Sequence, residues 1–368
     1  AYHYNSLANG ANNDRLNDDV SLYIWNMGSF ITGTNITSPV MKMDSASKYY
    51  MSYGRGVPEM VLNNNGSTVR QVDYSYNKFH NTMVAFDTGG RVYGVATNTD
   101  RVNDTSAKFV FYTQSDENVD SYAPEYQYSS SMKRHLERVY NTSTGIYDIN
   151  RVQRPKMTIT NAGTYSDPAR VFMSYFDGNN TISPVKFRYG TVYDGDTNSP
   201  TITGGITGNT TNNNENNVPS NTGSSATNFH IVASNNTTYK GGQYTAVGAT
   251  SSGVALVAWY DASQKRLMYS YNTSPNTPVV GGVWQTNAVV VDSNYSGWYV
   301  DMTVDSDNGI HIAYYNSGKG DLKYAYLSSY NATPQVVTVD SYLSTGTNIT
   351  INVRKETIGG VERQVPYI

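Results

Sequence analysis

Two stretches decide how this chain folds: residues 255–272, ALVAWYDASQKRLMYSYN, and residues 310–327, IHIAYYNSGKGDLKYAYL. They align without a gap at an offset of 55, and the likeness extends upstream, so that residues 242–272 lie on 297–327. Tyr244 meets Tyr299, Ala258-Trp259-Tyr260-Asp261 meets Ala313-Tyr314-Tyr315-Asn316, and Leu267, Tyr269 and Tyr271 meet Leu322, Tyr324 and Tyr326. The shared unit is an apolar run ending in Ala-aromatic-aromatic-Asp/Asn, a short polar turn, and Leu-x-Tyr-x-Tyr. Aromatic and β-branched runs flanking a turn of Asn, Asp, Gly, Ser and Lys predict a β-hairpin.

The same hairpin recurs with looser spacing. Val171 to Asp177 is followed by Val185, Phe187 and Tyr189; Tyr49 to Tyr53 is followed after a long turn by Val72, Tyr74, Tyr76 and Asn77; Phe109 to Tyr112 is followed by Tyr126 and Tyr128. The two ends supply a sixth unit. Residues 365–368 fall inside a first hairpin strand, and Tyr2-His3-Tyr4-Asn5-Ser6 matches the second strand Tyr269-Ser270-Tyr271-Asn272-Thr273. Two more strand-like runs precede a hairpin, such as 288–291 and 299–304, giving four strands in roughly 60 residues. Four-stranded units repeated radially make a β-propeller. The expectation is therefore an all-β chain, one domain over 1–368, of six blades closed by the N-terminal strand completing the last blade. Seven blades is the alternative, because 83–86 and 91–95 form an extra strand pair, read as the inner strands of a blade.

Blades packed face to face bury both sides of their middle strands, so Trp259, Tyr314, Tyr175 and Tyr53 are expected to be wedges between sheets. The long connections 5–20, 129–137, 190–227, 272–282 and 327–334 are expected to run from the last strand of one blade to the first of the next, all on one face. Residues 190–227 are a polar low-complexity insertion, too poor in apolar side chains to build a core.

Composition narrows the partners. Charged residues are 15% of the chain, Lys+Arg 26 nearly balances Asp+Glu 29, and 33 residues are Tyr. No basic surface is available to track phosphates, so nucleic acid is excluded as a partner, and no apolar run of about 18 residues points to membrane insertion. The absence of Cys removes disulfides, thiolate metal sites and Cys nucleophiles together. Together with the abundance of Asn, Thr, Ser, Gly and Tyr, this points to an extracellular or cell-surface bacterial protein.

The repeat resembles the sialidase-like, BNR-type β-propellers of bacterial secreted and surface proteins, whose blades carry a similar aromatic-Asp turn and Leu-x-Tyr-x-Tyr. That resemblance implies the fold. Catalytic members carry Ser-x-Asp-x-Gly-x-x-Trp boxes and an early Phe-Arg-Ile-Pro run; here the turns 261–265 and 316–321 are degenerate boxes and the run is missing. Asp44, Asp167, Asp177, Asp261, Asp305 and Asp307 could supply the two carboxylates of a glycosidase if they converged in a ring. Each is more simply a turn residue bonding its own backbone. The five His are scattered, with no pair at ligand spacing.

No catalytic residue is assigned, and no cofactor is expected apart from a candidate structural Ca²⁺. Asp305-Ser306-Asp307-Asn308-Gly309 opens like a calcium loop, with Asp305 and Asp307 as its ligands, although Asn316 stands where the twelfth-position Glu belongs. The functional expectation is a non-catalytic structural or adhesive subunit of a bacterial surface assembly, an appendage, filament or surface layer. Its partners would be other copies of itself, other surface proteins, or glycans. The alternative is a carbohydrate-binding lectin or a sialidase-like glycoside hydrolase.

Overall fold

The computed structural model describes 25 strands between Thr37 and Tyr367, residues 161 and 166–168, and the connecting residues within 241–275, 288–342 and 344–368. The described residues are all-β, with no helix. The first sheet runs β1 (Thr37–Met43), β2 (Tyr49–Arg55), β3 (Glu59–Asn64), β4 (Ser67–Asp73), and the second β5 (Phe79–Phe86), β6 (Val92–Asn98), β7 (Lys108–Val110), β8 (Lys133–His135). A short pair, β9 (Tyr140–Asn141) and β10 (Ile146–Tyr147), follows. The third sheet holds β11 (Val152–Thr160), β12 (Ala169–Asp177), β13 (Val185–Gly195) and β14 (Ser199–Gly204), with β15 (His230–Ala233) sharing the outer edge of β13. The fourth is β16 (Gly241–Ala249), β17 (Ala255–Asp261), β18 (Arg266–Asn272), β19 (Val289–Asp292). The fifth is β20 (Ser296–Val304), β21 (Ile310–Asn316), β22 (Asp321–Leu327), β23 (Gln335–Asp340), and β24 (Asn352–Ile358) and β25 (Val361–Tyr367) form a last hairpin. Every pairing is antiparallel between neighbours in the chain, apart from β13 with β15.

The hairpins read from the sequence are β12–β13, β17–β18 and β21–β22, the second and third strands of their sheets. Three assignments differ. Residues 288–291 were expected to open the next unit, but β19 pairs with β18 and closes the unit before it. The long connections 272–282 and 327–334 consequently join third to fourth strands within a sheet, and do not join one sheet to the next. In the first sheet the third strand is β3, inside what the sequence presents as a long turn. Residues 108–110 are a third strand, paired with β6 and β8, so the extra pair near 83–95 belongs to the same sheet. The segments 1–6 and 126–128 lie outside the described residues.

Side-chain alternation explains the apolar runs. Ala255, Val257 and Trp259 of β17 pack with Phe172, Val185, Phe187 and Val232 of the third sheet. Leu256 and Ala258, pointing the other way, pack with Val300, Met302, Ile310, Ile312 and Tyr314 of the fifth. Burial on both faces leaves β17 no polar position until Asp261, and each large apolar side chain so buried contributes about 1.5–3 kcal/mol. Trp259, Tyr175 and Tyr314 are fully buried, Trp259 between the third and fourth sheets and Tyr314 between the fourth and fifth, while the side chain of Tyr53 lies outside the described residues. The first strands pack on one another in chain order: β1 on β5, β5 on β11, β11 on β16, β16 on β20.

Candidate functional site

These stacked first strands share one irregularity. In each, the register with the second strand slips near the N-terminal end: between Thr37 and Val40, His80 and Met83, Gln153 and Lys156, Gly241 and Thr245, and Trp298 and Asp301. A bulge places extra residues opposite one partner residue and re-aims their side chains. Arg154 and Tyr299, the first residues of two of these bulges, have φ of 48° and 50°. Left-handed backbone at non-glycine residues is strained, and packing must hold it. Pro155 is tolerated inside β11 because the bulge asks no ladder hydrogen bond of it.

The bulges of β11, β16 and β20 bring together side chains far apart in sequence. The Arg154 guanidinium lies 4.3 Å above the centre of the Tyr244 ring and 5.9 Å from that of Tyr299. The rings of Tyr244 and Tyr299 are 4.8 Å apart. Trp298 stacks on Tyr244 at 5.6 Å with 24° between the planes, and meets Tyr260 edge-on at 6.0 Å. Arg154, Tyr244, Trp298 and Tyr299 are all partly exposed. Burial, and then a hydrogen bond with the Tyr244 side chain, push the Tyr299 phenol above its ordinary range despite the nearby Arg154 charge.

Two donors in this cluster, Arg154 Nη1 and Trp298 Nε1, are buried and have no hydrogen-bond partner among the described residues. Such groups are uncommon in folded proteins and need an explanation. Two residues further along each strand, Lys156 Nζ donates to Asp301 Oδ1 at 3.1 Å, and Asp301 Oδ2 accepts the Ile351 amide at 3.0 Å. The carboxylate nearest in sequence to the cluster is thereby engaged on both oxygens.

The candidate ligands Asp305 and Asp307 lie in the β20–β21 turn. Asp305 Oδ1 accepts the amides of Asp307 and Gly309 at 2.8 and 2.7 Å, and its Oδ2 is 2.8 Å from His311 Nε2, whose Nδ1 faces the Tyr324 hydroxyl at 2.6 Å. Asp307 Oδ2 accepts from Gln364 Nε2 at 2.9 Å. Among the described residues no three His, Asp or Glu side chains gather as a metal set. Asp261 ends β17, at the opposite end of its sheet from turns such as that of Asp305, and takes Arg266 Nε at 3.0 Å. Asp167 precedes β12 and accepts from Asn161, Asp177 ends β12, and Asp44 lies outside the described residues. The five described aspartates are thus divided between both ends of the sheets.

Sequence reasoning paired Tyr244 with Tyr299 as repeat positions but singled out neither as a site, and passed over Arg154 and Trp298. The available signals were small: Pro155, Gly241-Gly242 and Gly297 interrupt strand patterns, and such interruptions mark bulges and close approaches.

No protein-family model matches the chain, and no curated protein sequence matches it. Solved structures of similar fold include the Hadza microbial sialidase Hz136, at 7% identity and TM-score 0.40, over 84% of this chain and 59% of that one. They include the α-L-arabinofuranosidase Arb93A of Fusarium graminearum with an iminosugar inhibitor, at 9% identity and TM-score 0.48, over 95% and 96%. A variant of the Aleuria aurantia lectin AAL in complex with Fucα1-6GlcNAc matches at 12% identity and TM-score 0.41, over 90% and 92%. This chain spans 59% of the length of the sialidase. The expectation of a structural or adhesive assembly subunit is corrected here: the matched structures are sialidase-like and other glycoside hydrolases and lectins, a carbohydrate-related set.

Proposed function

We propose that this chain is a carbohydrate-binding β-propeller whose ligand seats on the bulged first strands, against Tyr244, Trp298, Tyr299 and Arg154. The observation that carries this reading is the cluster itself: three partly exposed aromatic faces beside two buried, unpaired N–H donors, on strained backbone. Sugar rings present C–H faces, which carry partial positive charge and stack on the negative face of an aromatic ring. Their hydroxyls accept from fixed donors, and a few such donors among aromatic walls make a specific site. Binding is favoured over hydrolysis because Asp301 is occupied by Lys156 and the Ile351 amide, while hydrolysis needs two available carboxylates about 5–10 Å apart.

In this reading the sheets are blades, the β24–β25 hairpin begins a sixth, and residues 2–6 supply its third strand. The stacking of first strands in chain order supports that arrangement. The ligand is a glycan met outside the cell. Glycan-array binding, followed by titration calorimetry of the strongest hit, tests the site. Replacing Trp298 by Ala is expected to weaken binding at least about tenfold, as loss of a stacking ring in a pocket does. Tyr299→Phe, which keeps the ring, is expected to retain most of it. Unchanged affinity in Trp298→Ala, with the fold intact by circular dichroism, removes the site.

A further inference from the structure

We infer that the group meeting Arg154 is anionic, so that the glycan carries a carboxylate or a sulfate; this rests on the carbohydrate reading above. Arg154 stands where the next two repeats have Tyr. It follows Gln153, the last paired residue before the β11 bulge, as Tyr299 follows Trp298 in β20, and Tyr299 aligns with Tyr244. The fourth and fifth sheets carry an aromatic ring at this position, and the third sheet carries a permanent cation.

That cation is poorly compensated. Its guanidinium carbon lies 4.3 Å over the Tyr244 ring, a cation–π contact that satisfies none of its N–H donors. Its Nη1 is buried without a hydrogen-bond partner among the described residues. The adjacent carboxylate of Asp301 is held by Lys156. Leaving a charged donor desolvated and unpaired costs more than leaving a neutral one, so a ligand that supplies negative charge gains more here than one that supplies a hydroxyl. The second orphaned group, Trp298 Nε1, is also a donor. The orphaned groups of the cluster among the described residues are both donors, and they ask for an acceptor-rich ligand group, which carboxylate and sulfate both are.

The test compares oligosaccharides that differ in charge on one skeleton: oligogalacturonate against its methyl ester, and dextran sulfate against dextran, each titrated into the full chain and into Arg154→Gln and Arg154→Lys. The inference expects the acid of at least one pair to bind about tenfold or more tightly than its neutral counterpart, the size of one charge-assisted hydrogen bond. Arg154→Gln should erase that difference between the charged and neutral members, and Arg154→Lys should keep part of it. Which pair responds distinguishes carboxylate from sulfate. Equal affinity for charged and neutral members overturns the inference and leaves the carbohydrate reading standing. No binding to any of the four, nor to a glycan array, overturns both. Should Arg154→Gln fail to fold, the comparison of charged with neutral ligand on the unaltered chain still decides.

Discussion

At Asp292, burial and hydrogen bonding pull in opposite directions. Burial alone would raise its pKa, but hydrogen bonds from Lys323, Tyr314 and Ser296, with the Lys323 charge, bring it below its ordinary value of 3.8. A carboxylate depressed in the folded state stabilises fully above its unfolded pKa, and that stability is lost as pH falls through the folded value. Urea midpoints should therefore decline below about pH 4, and Asp292→Asn should flatten that decline. Tyr314→Phe removes the 2.8 Å hydrogen bond to Asp292 from a fully buried position, and should cost about 1–2 kcal/mol by urea denaturation. Tyrosines give the opposite slope. Burial first, then neighbouring Tyr326 and Asp305, push the Tyr324 phenol up to about 12, and burial raises Tyr269 and Tyr314 beyond it. Their contribution is complete below pH 10 and lost as pH rises toward the folded values, so stability should fall above about pH 10. A midpoint that stays flat from pH 9 to 11.5 contradicts this.

Elements join in a repeated way. Gly297, at φ 114°, lies over Leu267 of the preceding sheet, and a Cβ there would stand 3.2 Å from the Leu267 Cα. Gly346, at φ 107°, lies over Leu322, the repeat equivalent of Leu267, with a Cβ 3.3 Å from its Cα. The amides beside them repeat as well: Tyr295 donates to the Lys265 carbonyl and Thr345 to that of Gly320. The passage from fifth sheet to last hairpin thus uses the same joint as the passage from fourth to fifth. Gly297→Ala and Gly346→Ala each combine positive φ with a clash against backbone, and should each lower stability by about 1–3 kcal/mol. Gly359→Ala, at φ 61° with nothing within 4 Å, should cost only the backbone strain, about 1 kcal/mol. Chemical denaturation of the three variants separates the joint from the strain.

For the whole molecule, all five slipped registers lie on the first strands, through which the sheets stack, and those of β11, β16 and β20 meet. A stack of twisted sheets in contact mainly at their first strands fans outward, and the fan closes if the last hairpin meets the first sheet. Negative-stain class averages of the purified chain should show a disc with a central axis. An open arc or an elongated solenoid contradicts the propeller reading and separates the bulges of the two ends.

The sequence alone determined the strands whose two faces are both buried. Residues 255–260 are apolar throughout because sheets cover them from either side, and Ile310, Ile312 and Tyr314 repeat one of those dry faces in the next sheet, so comparison of the chain with itself reveals the pattern. It did not determine which outer strand belongs to which sheet: Val289–Asp292 makes one edge pairing and its apolar run suits either neighbour. Nor did it reveal the site. Arg154, Tyr244 and Trp298 meet through bulges in three strands separated by long stretches of chain, and a bulge changes where a side chain points without changing its residue type. Local pattern encodes which faces must be dry, whereas the meeting of those three side chains is a property of how the sheets stack.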